Sequence, residues 1–286
     1  MINAIEIKNL NKKYQDFQLK DVSFKVPRGS IVGFIGENGA GKTTTIKAML
    51  NLVSRDGGTI EMLGMDTLKD EKKIKESVGV VMDGCNFHDN LKTGDIAKML
   101  ASIYKKWNQE LYQQYLKKFK LPDNKIIKAF SRGMKMKLQI AVALSHQPDL
   151  LILDEATSGL DPIVREEILD VFMDFIQDEE HSILISSHIT SDLDKIADYI
   201  VFIHQGKILL NEEKETLLSK MGVFKCGEED FGKLEASEYL RYRKNQFSFE
   251  VLVNDKAAIR KKYPNALMDG VTIEQIMLFY GRGGKQ

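Results

Sequence analysis

Polar and apolar positions alternate at the start of the chain. Ile5 and Ile7 stand between polar neighbours, and Phe24 and Val26 repeat the pattern before the turn Pro27-Arg28-Gly29. The first sixty residues therefore read as strands. IVGFI (31–35) is a continuous apolar run that ends at Gly36, and a helical period runs from Gly41 to about Val53. RDGG (55–58) is a turn, and VGVVM (78–82) has the length and composition of a buried strand. From about Leu91 to Gln147 the period becomes helical throughout. TGDIAKMLASIYKK (93–106) and NQELYQQYLKKFK (108–120) space apolar residues by three and four, and LPDNK (121–125) interrupts them. A third helix follows, with Met134, Leu138, Ala141 and Val142 at helical spacing and Ser131 as its N-cap.

Beyond Pro148 strands and helices alternate again. LLILD (150–154), SILISS (182–187) and YIVFI (199–203) read as strands, and PIVREEILDVFMDFIQD (162–178) as a helix with Pro162 in its first turn. A further helix starts near Thr190 or Ser191, and HQGK turns into ILL (208–210). This alternation predicts an α/β fold, a mostly parallel sheet covered by helices, with an inserted helical subdomain over about 88–147. The tail differs. QFSFEVLVN (246–254) puts Phe247, Phe249, Val251 and Val253 on one face of a strand, and DKAAIRKKY (255–263) and TIEQIMLFY (272–280) read as short helices. We expect a first domain over 1–220 and a small α+β appendage over 221–286. The apolar face of 247–253 suggests that the tail dimerises.

Composition narrows the partners. Of 286 residues, 43% are hydrophobic, enough for a sizeable core. Basic and acidic residues number 41 each, and this balance gives no support for nucleic acid as a partner. Cys85 and Cys226 form no metal or disulfide pattern and suit a reducing compartment. MINAIEIKNLNKKY is not a secretory signal, and no apolar run reaches the ~18–20 residues that span a bilayer. Any membrane role is expected to come through a partner chain.

The chemistry lies at strand ends. GENGAGKT (36–43) fits G-x-x-x-x-G-K-[ST] between a strand and a helix. Gly36, Gly39 and Gly41 let backbone N–H groups converge on phosphate oxygens, Lys42 reaches the β- and γ-phosphates, and Thr43 offers a hydroxyl to Mg²⁺. Asn38, Ala40 and Thr44 complete the expected contact set. Asp154 closes the run LLIL, where a carboxylate holds Mg²⁺ through water, and Glu155 follows, placed to orient the water that attacks the γ-phosphate. His188 lies just past ILISS, at the same carboxyl ends of strands where ligands collect. His88, His146, His181 and His204 read as ordinary surface or core residues. FSRGM (130–134) opens a helix with a serine, a glycine and basic residues, either as an amphipathic helix with a solvated basic edge or as an N-terminus that meets an anion.

Together these motifs resemble the ATP-binding cassette (ABC) ATPases over about residues 2–215. GENGAGKT is similar to Walker A, LLILDE to Walker B, Ser158-Gly159-Leu160-Asp161 to the D-loop, and His188 to the switch histidine. Tyr14 matches the aromatic that stacks on adenine. FSRGM stands where the family signature, usually LSGGQ, is found. The resemblance implies an ATPase with ATP and Mg²⁺ as cofactors. Two cassettes would pair head to tail, as a homodimer or heterodimer. Ser131, Arg132, Gly133 and Met134 would then meet the γ-phosphate in trans. It also implies an integral-membrane transporter subunit as partner and a place on the cytoplasmic face of the membrane. Arg132 and Met134 depart from the usual Gly and Gln, and Asp83 stands where the family has a metal-contacting Gln. Residues Cys85–Leu91 (CNFHDNL), with Phe87 as an apolar contact, are the expected docking loop. VTIEQIM (271–277) resembles the ending of exporter cassettes, so export of a drug, peptide or lipid is expected. A soluble ABC ATPase or an importer ATPase is the alternative.

Overall fold

The structure, a computed structural model, describes residues 3–84, 87–264 and 267–282. Chain contacts divide it into two compact units. One holds the residues through Ala197 with Val201–Asn211, and the other holds Asp198–Ile200 with the chain from Glu212 onward.

The first unit opens with β1 (Asn3–Lys13), β2 (Gln18–Pro27), β3 (Ile31–Ile35), α1 (Lys42–Met49), β4 (Gly57–Met62), β5 (Met65–Asp66), α2 (Glu71–Ser77) and β6 (Val78–Val81). The helical block follows as α3 (Thr93–Ala101), α4 (Gln109–Lys118) and α5 (Arg132–Ser145). Then come β7 (Leu150–Asp154), α6 (Pro162–Phe175), β8 (Ser182–Ser187), α7 (Thr190–Ile196), β9 (Tyr199–His204) and β10 (Lys207–Glu213). One sheet has the order β2-β1-β4-β5 and is antiparallel. A six-stranded sheet has the order β10-β9-β3-β8-β7-β6, with β3, β8, β7 and β6 paired in parallel. Every residue of β3 and β7 is buried, which is why these strands are continuous apolar runs rather than alternating ones.

Local chemistry sets the helix ends. Asn108 caps α4 by accepting from the Leu111 amide at 2.9 Å, and Ser131 caps α5 by accepting from the Met134 amide at 3.2 Å. Asp161 caps α6 in the same way at 3.0 Å, with Pro162 in the first turn where its missing N–H costs nothing. Three helices are shorter than their sequence period suggests. Asn51 and Lys120 adopt positive φ of 56° and 53° just past α1 and α4, which stops helix propagation. Beyond α3 the chain leaves the helix at Ser102, and Tyr104 stacks on His146 with ring centroids 4.2 Å apart. Burial lowers the pKa of His146, and burial raises that of Tyr112, whose hydroxyl donates to the Thr93 carbonyl at 3.0 Å. The helix α2 escapes periodicity because its sole buried residue is Ile74.

The second unit continues with α8 (Lys214–Lys220), β11 (Gly222–Cys226), α9 (Glu228–Gly232), β12 (Tyr239–Lys244), β13 (Phe249–Val253), α10 (Lys256–Lys262), β14 (Leu267–Gly270) and α11 (Ile273–Arg282). From β11 to β14 the order is β-α-β-β-α-β, and the antiparallel sheet runs β12-β13-β11-β14. That is the ferredoxin-like arrangement. Phe249, Val251 and Val253 share one face, as the alternation predicts, but that face is covered within the unit by Phe224, Cys226, Ile259 and Met268. Phe231 stacks on Phe249 at 4.1 Å. The face that suggested dimerisation is thus already covered. Phe247 does not belong to it. It lies in the turn closed by the Asn245 amide on the Ser248 carbonyl and is 87% exposed.

Candidate active site

The phosphate loop joins β3 to α1. The Ala40 amide donates to the Glu37 carbonyl at 3.0 Å, and Thr45 returns its amide and its hydroxyl to the Gly41 carbonyl, both at 2.9 Å. These bonds fix the loop without using the N–H groups of Asn38 and Gly39, which remain at its exposed crest. Lys42 is 5% exposed. Its Nζ donates to the carbonyls of Gly36 at 2.7 Å and Glu37 at 3.3 Å, and lies 3.4 Å from Glu155 Oε1. A buried ammonium is held only where such partners converge. Thr43 is exposed to the cleft, and Thr44 is half-buried.

The parallel register places the other half of the site beside it. Asp154, at the end of β7, faces Ser186 of β8 and accepts its hydroxyl at 2.6 Å. Glu155 follows in the left-handed region, with φ 55°. A non-glycine residue there costs roughly 1–2 kcal/mol. Its amide donates to the Ser186 carbonyl at 3.1 Å and hydroxyl at 3.2 Å, which anchor the turn. The carboxylate then bridges two cleft residues. Oε1 meets Lys42, and Oε2 lies 2.6 Å from His188 Nδ1. The structure thus brings Lys42, Glu155 and His188 together at one end of the sheet. They line a cleft of about 630 Å³ with Asp16, Phe17, the crest of the phosphate loop, Thr43, Asp83 and Ser158.

The remaining expected residues fall in three places. Ser158 lines the cleft, and its amide donates to the Glu155 carbonyl at 3.1 Å, while exposed Gly159 and half-buried Leu160 lead to Asp161, the α6 cap. Tyr14 is 43% exposed and lies outside the cleft lining, with Lys12 Nζ 5.5 Å from its ring centroid. Phe17 and Asp16, three and two residues further on, line the cleft instead. A Cβ on Gly41 would stand 2.9 Å from the Phe17 ring. Ser131, Gly133 and Met134 are also outside this lining. Arg132 lines a neighbouring pocket with Phe130, Lys135, Asp83 and Gly84, and Gly133 packs toward Val164 of α6. Of the expected docking loop, Cys85 and Asn86 lie outside the described residues, and Phe87 is half-buried.

Phe17 and Ser186 carry roles that motif spacing missed. Ser186 had one faint signal, a polar residue inside an apolar strand. The basic residues at the start of α5 are paired with carboxylates, although Arg132 itself stays exposed. Arg132 Nη2 lies 3.5 Å from Asp83, Lys135 lies 3.4 Å from Asp89, and buried Lys137 is bonded to Glu167.

Among the described residues, no cluster of three or more His, Cys, Asp or Glu could hold a metal unaided. Thr43, Asp154 and Asp83 offer only oxygen donors, and those of Thr43 and Asp83 reach the cleft. That set fits Mg²⁺, which binds through one or two protein oxygens plus phosphate and water.

The sequence profile described as ABC transporter matches residues 19–158. The chain is 36% identical over 212 residues to the bacitracin transport ATP-binding protein BcrA of Bacillus licheniformis, a match covering 73% of this chain and 69% of that one. It is 37% identical over 213 residues to the lantibiotic transport ATP-binding protein SrtF of Streptococcus pyogenes, covering 73% and 90%. A solved structure of an ATP binding subunit of an ABC transporter superposes with a TM-score of 0.67 at 27% identity, over 75% of this chain and 91% of that one.

Proposed function

The chain belongs to the ABC transporter family as an ATP-binding subunit that hydrolyses ATP, and from that premise we propose that it drives export through a separate integral-membrane subunit. The observation that supports the catalytic part is the junction of Lys42, Glu155 and His188 over the phosphate loop. A triphosphate entering the cleft exchanges its negative charge for that of Glu155 at Lys42. Glu155 Oε1 is then available to take a proton from water, while His188 keeps Oε2 in place. The water oxygen bonds to the γ-phosphorus, the bond to the β–γ bridging oxygen breaks, and ADP leaves with that electron pair. The phosphate-loop amides and Lys42 stabilise charge on the phosphoryl oxygens. The Thr43 hydroxyl and the Asp154 carboxylate would hold Mg²⁺, which would supply further charge neutralisation there.

Export is supported by the relatives, whose names describe bacitracin and lantibiotic transport. Among the described residues no helix is long and apolar enough to cross a membrane, and in this proposal the translocation path is formed by a separate subunit. An apolar groove of about 230 Å³, lined by Met49, Leu52, Met62, Ile74, Val80 and Tyr104, is the docking site we assign to it. Leu52, at its edge, is 61% exposed. Docking there would hold the chain at the membrane, and we assign it to the cytoplasmic face, where ATP is supplied. Ser131 and Gly133 stand apart from the cleft of their own chain, the separation a trans contact with a second cassette requires.

The test is the solution mass of Glu155→Gln by light scattering, with and without ATP. Mass is expected to double with ATP, and Ser131→Arg is expected to abolish the doubling. Full hydrolysis by Glu155→Gln would overturn the assigned chemistry.

A further inference from the structure

Asp83 and Arg132 are 49 residues apart in the chain and touch in the fold. Both occupy positions where this chain departs from the pattern it otherwise resembles, one gaining a negative charge and the other a positive one. Arg132 is the first residue of α5, where the helix dipole opposes a cation by roughly 0.3–1 kcal/mol. A nearby anion offsets that penalty, and Asp83 Oδ1 lies 3.5 Å from its Nη2. One turn later Lys135 Nζ lies 3.4 Å from Asp89 Oδ1. Between these ion pairs, the Lys128 amide donates to the Asp89 carbonyl and the Ile127 amide to the Leu91 carbonyl, both at 2.9 Å. The segment that follows β6 is thus fastened to the start of α5.

The pair also reaches the catalytic cleft. Asp83 lines that cleft as well as the pocket it shares with Arg132. The guanidinium lies over the turn after Glu155, since a Cβ on Gly159 would stand 2.6 Å from Arg132 Nη1. Gly159 has φ +66°, so the backbone calls for glycine there, and the absence of a side chain leaves room for the end of Arg132.

We propose that Arg132 is a positioning residue for hydrolysis: it holds Asp83 at the rim of the cleft and the Gly159 turn beside it, and Asp83 is its compensating partner. The two departures then form one unit, and each is harmful without the other. Arg132→Gly leaves a carboxylate unpaired at the cleft, where it repels phosphate oxygens. Asp83→Gln leaves a cation unpaired at the positive end of α5. The proposal rests on the ATPase function above, and its test separates the two.

A double-mutant cycle on the full chain decides it, with Asp83→Gln, Arg132→Gly and the double variant. Each single change is expected to lower kcat about tenfold with the KM for ATP within about twofold, while the double variant recovers to within about threefold of the starting chain. Arg132→Lys is expected to keep most of the activity. Raising the salt is expected to lower kcat of the starting chain more than that of the double variant, because an exposed pair is screened. Losses that multiply in the double variant, or singles with unchanged kcat, overturn the proposal. A second readout needs no hydrolysis. Amide hydrogen exchange over 87–92 in the nucleotide-free chain is expected to rise several-fold in each single and no further in the double. Additive increases there overturn the pairing even if Glu155→Gln has shown that the chemistry lies elsewhere.

Discussion

Lys42 and Arg241 are both buried cations, 5% and 7% exposed, and the two units treat them in opposite ways. Lys42 is surrounded by oxygen: two carbonyls and the Glu155 carboxylate. Arg241, on β12, has its guanidinium carbon 4.8 Å from the centroid of the Tyr280 ring, and that of Arg243 lies 4.6 Å from the centroid of Phe279. Neither arginine has an ion pair among the described residues. Its Nε, like the Nε and Nη2 of Arg243, is buried without a hydrogen-bond partner. In the first unit a buried charge is kept exchangeable, since a phosphate offers Lys42 the same oxygens it already has. In the second the charge is used as a planar surface that covers aromatic rings. Reaction chemistry belongs to the first arrangement, and packing to the second.

The largest effect that sharpens this contrast is on hydrolysis. Glu155→Gln is expected to lower ATP turnover by about 10³, measured as phosphate release, with a melting temperature close to that of the starting chain. A comparable loss from Arg241→Met would break the distinction. Next comes Phe249→Ala in the second unit. Removing a ring stacked at 4.1 Å on Phe231 is expected to cost about 3–5 kcal/mol, read by denaturant unfolding, while nucleotide binding by the first unit persists.

Smaller effects follow from pH, and their signs oppose each other. His146 in the first unit has its pKa lowered from 6.5 by burial. The unfolded chain therefore binds its proton first. The stability contributed by the neutral ring is complete above pH 6.5 and is lost as pH falls toward the folded-state value. Cys226 in the second unit has its pKa raised from 9.0 to about 11 by burial, with Asp230 adding to it. Its contribution is complete below pH 9.0 and is lost as pH rises toward 11. Unfolding followed separately by Trp107 fluorescence and by Cys226 alkylation should show an acid-sensitive first unit and an alkali-sensitive second one. The smallest effect is that of Arg241→Met, expected to change stability by no more than about 1 kcal/mol, because an apolar side chain of similar length can cover the same ring.

The contrast also explains what could be read from the chain alone. β3, β7 and the phosphate loop were legible because a strand buried on both faces is a continuous apolar run and a phosphate cradle needs glycines at fixed offsets. α5 and α6 were legible through Ser131 and Asp161, whose caps are local chemistry. β12 was not, because YLRYRK buries an arginine where a periodicity rule expects an aliphatic residue. Phe247 was misplaced because alternation does not show where a strand ends and its turn begins. The cleft residue Phe17 and the Asp83–Arg132 contact were hidden for another reason. Each depends on two segments distant in sequence meeting in the fold, and no spacing within either segment records that meeting.

The turn between β9 and β10 shows how far this dependence extends. The Gly206 amide donates to the Ala40 carbonyl and its carbonyl accepts from the Lys20 amide, both at 2.9 Å. Its φ is +74°, and a Cβ there would stand 1.9 Å from the Gln18 carbonyl oxygen. The phosphate loop is thus sutured to strand β2 through a residue about 165 positions downstream of the loop. A transplanted GENGAGKT segment would bring the glycines but not the suture. Grafting this nucleotide site onto another scaffold means carrying a hairpin that contains none of the residues usually named as binding ATP.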